Sequence, residues 1–181
     1  MLRKDVYLLS LMFAGTVFFF SGDTLASKRG LGRVNMQGRI IDAACAIDMR
    51  SLYQSIEMPP VPIAQLLRDG EGPETPFSIH LVNCTLQHHN PALPNWYAFQ
   101  VTFDGSATYD GLFGVQGYAE GIGLKITDEY GEVAKPGNPM NTHTLNSGPM
   151  EMKYTLRLAG TRENLRAGNY NSIIRFKLDY F

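Results

Sequence analysis

The chain is short of the residues and patterns that mark catalysis. Among its 181 residues are two cysteines, four histidines and one tryptophan. Two cysteines without histidines at ligand spacing do not make a metal site. There is no Gly-x-Ser-x-Gly elbow, no zinc-binding helix and no phosphate loop. Acidic residues are scattered, and no pair is placed by sequence for acid–base work. Charge of one sign is also missing, with 16 Lys and Arg against 17 Asp and Glu. A net charge of -1 supplies no field to draw in nucleic acid or anionic lipid. No internal repeat, low-complexity segment or long stretch of helical spacing occurs. These absences argue against an enzyme, a cofactor site and a small-molecule substrate.

What is present begins with an export signal. Arg3 and Lys4 precede an uncharged apolar run from Val6 to Phe20, followed by Thr24-Leu25-Ala26. A charged start, a short apolar core and a small residue before the cut describe a secretory signal peptide, residues 1–26, cleaved after Ala26. A membrane-spanning helix wants about 20 apolar residues, and this run is shorter. The mature chain, Ser27 to Phe181, is long enough for one domain with a core of its own. Cys45 and Cys84 both lie in the exported part, where an even pair forms one disulfide.

The remainder reads as short strands divided by Gly, Pro, Asn and Asp. The expected strands are Gly38 to Ile47, Phe77 to Cys84, Trp96 to Phe103, Gly121 to Thr127, Met150 to Leu158 and Asn169 to Tyr180. A helical turn is expected at Ile63 to Leu67, between a proline cluster and the breaker run from Asp69 to Pro73. This spacing predicts an all-β, immunoglobulin-like sandwich. The last strand is the most informative. Ile174, Phe176, Leu178 and Tyr180 alternate with Arg175, Lys177 and Asp179, the pattern of a half-buried strand. An immunoglobulin-like sandwich has a seventh strand after the sixth, and here the sixth reaches the carboxyl terminus. Surplus sequence lies at the other end, in residues 27–37, where Gly32, Val34, Met36, Gly38 and Ile40 alternate with polar residues. The expected sandwich is therefore incomplete, lacking its seventh strand, with a spare strand ahead of the domain at residues 38–181.

These residues resemble the pilin subunits of chaperone–usher fimbriae. The marks are Gly168 fourteenth from the end, the penultimate Tyr180 and the alternating apolar residues between them. Gly38 stands seven positions before Cys45, and Leu81-Val82-Asn83-Cys84 closes an alternating strand. In that family a subunit is completed by a donor strand from a chaperone or another subunit, a known instance of strand addition. The resemblance implies that Ile174, Phe176, Leu178 and Tyr180 first pair with a strand of a periplasmic chaperone. The carboxylate of Phe181 would meet basic side chains in the chaperone cleft. At an outer-membrane usher, a neighbouring pilin's N-terminal strand would then displace the chaperone. Gly32, Val34, Met36, Gly38 and Ile40 would be this chain's own donor strand, with Gly38 at the position where a groove has no room for a side chain. Family donor strands carry a larger apolar residue where Gly32 stands. The segments Arg68 to Glu74, Val101 to Gly105 and Leu165 to Tyr170 look most like the minor subunit that terminates and anchors P-type pili. The expected role is a structural subunit of a surface fimbrium, exported through the periplasm and ending the pilus at its outer-membrane base. The alternative is a rod or adaptor pilin that accepts the next subunit's strand. A carbohydrate-binding tip adhesin would need a lectin domain for which there is no length.

Other residues have plainer expectations. His88 and His89 read as loop surface, and His80 as a strand-rim residue. Trp96 and Tyr97 read as core or edge packing, and Asp128 to Gly131 as a hairpin turn in place of a calcium loop.

Overall fold

The computed structural model describes residues 33–38 and 41–181. The chain divides into two units between Arg39 and Ile40. Of the first, residues 33–38 are exposed and join no helix or strand ladder. The leader expected at 1–26 and the donor positions Gly32 and Ile40 lie outside the described residues.

The second unit is built almost entirely of antiparallel strands. Its elements are β1 (Ala46–Ile47), α1 (Met49–Leu52), α2 (Ile63–Asp69), β2 (Thr75–Cys84), β3 (Ala98–Asp104), β4 (Phe113–Gly114), β5 (Gln116–Gly117), β6 (Ile122–Asp128), β7 (His143–Thr144), β8 (Gly148–Gly160), β9 (Tyr170–Asn171) and β10 (Arg175–Tyr180). One sheet has the order β1-β2-β8-β6-β4 and a second has the order β10-β3-β7, while β5 and β9 form a small ribbon. Alternation within the strands sends one set of side chains into a shared core. Ile79 and Leu81 of β2, Leu124 and Ile126 of β6, and Leu156 and Leu158 of β8 meet Phe99, Val101 and Phe103 of β3 there. The Phe103 ring stands edge-on to Tyr154 at 5.0 Å, so the two sheets touch through aromatic contact.

The sandwich architecture and most strand positions agree with the sequence reading, and three differences have identifiable causes. The first strand, expected from Gly38 to Ile47, pairs among the described residues only at Ala46↔Val82 and Ile47↔Leu81. Asp48 ends it by capping α1, its Oδ1 accepting from the Arg50 backbone N–H at 2.9 Å. The last strand, expected as one piece from Asn169 to Tyr180, is two. Tyr170–Asn171 pairs with β5, and Arg175–Tyr180 pairs with β3. Between them the Ile173 carbonyl passes 3.3 Å from where a Cβ on Gly105 would stand, and the Ser172 hydroxyl donates to the Gly114 carbonyl at 2.8 Å. The expected helical turn at Ile63 to Leu67 extends to Asp69. It stops at Gly70, whose φ of 77° puts it in the left-handed region and whose N–H donates to the Leu66 carbonyl.

Candidate functional site

The site is an unfinished sheet edge beside an apolar cleft. β10 pairs with β3 through all six residues, from Arg175↔Asp104 to Tyr180↔Phe99. Its other edge has no partner strand among the described residues. Phe176, Leu178 and Tyr180 point toward the core but stay only half-buried, as does Ile174 just ahead of them. Arg175 and Lys177 point out, where Arg175 pairs with Asp104 at 3.1 Å and Lys177 with Asp179 at 2.9 Å. The faces are those expected from the alternation.

Facing residues 165–174, which lead into this edge, runs the segment from Gln54 to Pro62, which joins no ladder. Between that segment and the approach to β10 lies a cleft of about 1070 Å³. Its floor is core, with Leu66, Ile122, Leu124, Leu156 and Leu158, and its rims carry Ile56, Met58, Leu165, Tyr170 and Ile174. The prolines at 59, 60 and 62 explain why this rim remains extended and unpaired, since each lacks the backbone donor a ladder requires. Burial pushes the phenols of Tyr170 and Tyr180 above their ordinary value, the latter opposed in part by the Cys45 backbone. An apolar slot flanked by an open strand edge has the chemistry to take an extended segment. Backbone bonds would supply affinity and alternate side chains specificity.

Gly168 marks the entrance to the last strand pair for a steric reason. A Cβ there would lie 2.6 Å from both the Tyr118 carbonyl carbon and the Ala119 nitrogen. The chain passes so close because the Asn169 carbonyl accepts from Tyr118 N–H at 2.9 Å and Ala119 N–H at 3.3 Å. Phe181 is tied into β3 by its backbone. Its N–H donates to the Ala98 carbonyl at 2.9 Å, and its oxygen accepts from Tyr97 N–H at 2.7 Å. Cys45 and Cys84 form the expected disulfide. Of the donor positions, Val34, Met36 and Gly38 are exposed.

His88 departs from its expectation. It is no loop-surface residue: its side chain is only 10% exposed. Its ring lies 3.6 Å from that of Trp96, and its Nδ1 is 3.1 Å from Asp42 Oδ2. The partners are 8 and 46 residues away in sequence, beyond the reach of a periodicity argument. His89 is exposed and His80 half-exposed beside Glu151, as expected. Asp128 closes a hairpin turn, its Oδ1 accepting from Tyr130 N–H at 3.0 Å and Glu132 N–H at 2.7 Å. Among the described residues, no group of three or more His, Cys, Asp or Glu is placed to hold a metal ion. Nor is any helix there long and apolar enough to cross a membrane.

Comparison with known proteins decides what kind of molecule carries this edge. No family model matches the chain. The PRS fimbrial minor pilin protein of Escherichia coli is 34% identical over 151 residues, covering 82% of this chain and 77% of that protein. The chain belongs to the fimbrial pilins. The PAP fimbrial minor pilin protein of the same species matches this pilin with the same identity and coverage. The major MR/P fimbria protein of Proteus mirabilis is 29% identical, over 88% of the chain and 90% of that protein. Among solved structures, the P pilus rod subunit PapA has the same fold, with a TM-score of 0.67 at 19% identity. The match covers 77% of this pilin and all of PapA. The pilin is thus a structural subunit with an all-β, immunoglobulin-like fold.

Proposed function

We propose that this pilin is a minor subunit of a chaperone–usher fimbria, a non-enzymatic part completed by a strand from outside. The observation that carries this reading is the unpaired edge of β10 beside the apolar cleft. After cleavage of residues 1–26, a periplasmic chaperone lends a strand to that edge. At an outer-membrane usher the chaperone gives way, and residues 27–37, continuing through Gly38 and Ile40, enter the groove of a neighbouring pilin. Each large apolar side chain buried in such an exchange is worth about 1.5–3 kcal/mol. A closely packed donor strand therefore displaces a looser one and leaves slowly.

The position proposed for it is the base of the fimbria, where it ends growth. Two points support this. The relatives at 34% identity are named minor pilins, and the stretch from Leu165 to Tyr170, which resembles the terminating subunit, borders the cleft. The open cleft along residues 168–174 favours a second reading, an adaptor that accepts another subunit's strand.

A strand-exchange assay on the purified chain–chaperone complex separates them. Donor peptides from the other subunits of the same fimbria are added, and chaperone release is followed by native mass spectrometry. A terminator retains its chaperone against every peptide. An adaptor releases it and keeps the peptide. A stable, soluble mature chain that needs no added strand overturns both.

A further inference from the structure

The root of the N-terminal segment is fastened to the domain by contacts that the strand-accepting groove does not account for. Residues 42–45 run beside residues 84–88 and are joined to them three times. The Cys45–Cys84 disulfide is one join, and the Thr85 N–H donating to the Ala44 carbonyl at 2.8 Å is the second. The third is the contact between Asp42 and His88 at 3.1 Å. The third is unlike the others because it depends on a side chain held from behind. Trp96 lies against the His88 ring at a centroid distance of 3.6 Å, and its ring is 6.1 Å from that of Tyr180. The Trp96 backbone is itself fixed, its N–H donating to the Leu86 carbonyl at 2.7 Å. The Tyr180 hydroxyl is buried near the Cys45 backbone without a partner in hydrogen-bonding geometry.

A half-exposed aspartate at 48% exposure gains little from a histidine if both are free to wander. Here the imidazole is immobilised by the indole, so the entropy of holding the pair is already met. From these contacts we infer that Asp42, His88 and Trp96 are positioning residues for the donor arm. They fix its root against the carboxyl end of β10. Asp42 lies four residues after Gly38, the last residue described in the arm. An arm that must enter a neighbour's groove in one register gains from a fixed root. Each residue left loose between domain and donor strand adds conformations that insertion must remove. This inference rests on the strand-donor reading of residues 27–37.

The test uses the chain–chaperone complex, with wild type beside His88→Ala and Asp42→Asn. Hydrogen exchange is read separately at the arm root, residues 43–45, and at β10. Insertion of the arm into a second pilin's groove is timed by loss of that pilin's chaperone. Trp96 is the only tryptophan, so its emission reports the ring contact directly. Expected in both variants is exchange at the arm root faster by about tenfold, with β10 protection and complex yield unchanged, and slower insertion. Emission should change on loss of the His88 ring and hold nearly constant in Asp42→Asn. Unchanged root exchange or unchanged insertion rate overturns the inference. So does loss of the complex in both variants, because the residues would then serve folding alone. If the wild-type arm never enters any groove, the donor reading fails instead, and that result is visible without the variants.

Discussion

β8 and β10 carry the same pattern and meet different fates. Both alternate apolar and polar residues. In β8, Met152, Tyr154, Leu156 and Leu158 are fully buried, and in β10, Phe176, Leu178 and Tyr180 are only half covered. The difference does not lie in the residues. β8 has β2 on one side and β6 on the other, whereas among the described residues β10 has β3 alone. A strand's own sequence decides which face is apolar, and its neighbours decide whether that face is finished. The half-covered face of β10 is therefore a property of topology.

The sharpest way to break that comparison is to put a charge on the unfinished face. Phe176→Asp should abolish recovery of the chaperone complex, because a carboxylate would be carried into an apolar slot under the incoming strand. Lys177→Asp, one residue away on the outward face, should leave recovery near wild type. Co-purification yields decide it, and equal losses from both would mean the edge is recognised without regard to face.

A smaller effect tests the same point by truncation. Leu156→Ala in β8 should cost about 2–5 kcal/mol whatever occupies the groove, since its neighbours are always present. Leu178→Ala in β10 should cost clearly less until a donor strand covers it, then approach the β8 value. Denaturant midpoints with and without a bound donor peptide measure this. A Leu178 cost that ignores the peptide would show that β10 is already complete.

These contrasts also explain what the sequence alone could disclose. The alternation at Ile174 to Tyr180 is local, and the structure reproduces its two faces residue for residue. The break between β9 and β10 is not local. It depends on the Ile173 carbonyl passing over Gly105 and on Ser172 reaching Gly114, contacts across about 60 to 70 residues of chain. Two-residue strands such as β4, β5 and β7 are too short to show any period. The cleft was legible at one rim, since the alternation beginning at Ile174 marks an apolar side. Its floor was not, because Leu66, Ile122 and Leu158 come from separate elements brought together only by folding. His88 was misread for the same reason, its neighbours Trp96 and Asp42 being set by the disulfide-linked loop.

Gly168 offers a third, more modest intervention at the boundary of the two regions. Gly168→Ala would push a methyl group against the backbone at Tyr118 and Ala119, which cannot rotate away. The expected cost is about 1–3 kcal/mol, together with a shift in the β5–β9 pairing. Thermal unfolding of the chaperone complex, with amide exchange at Tyr118 as the local probe, tests it. An unchanged Tyr118 amide would mean the ribbon adjusts freely and the glycine has no steric role.

The least effect is expected where stability depends on a local surface bond and not on a neighbouring strand. Asp48 caps α1, and its hydrogen bonds to the Arg50 side chain and then to the Arg50 backbone hold its carboxyl below the ordinary value of 3.8. The sign follows directly. A carboxylate depressed in the folded state contributes stability above its unfolded value, and that contribution fades as pH falls through the folded one. The pair lies at the surface with the Arg50 side chain 87% exposed, so solvent screens it and little should be lost. Asp48→Asn should therefore lower the melting temperature of the complex at neutral pH by less than any substitution above. The gap between variant and wild type should close as pH drops below 3.8. A loss as large as that of Leu156→Ala would mean that the end of β1 is held by its cap and not by pairing with β2. The contrast between finished and unfinished strands would then not extend to the first strand of the domain.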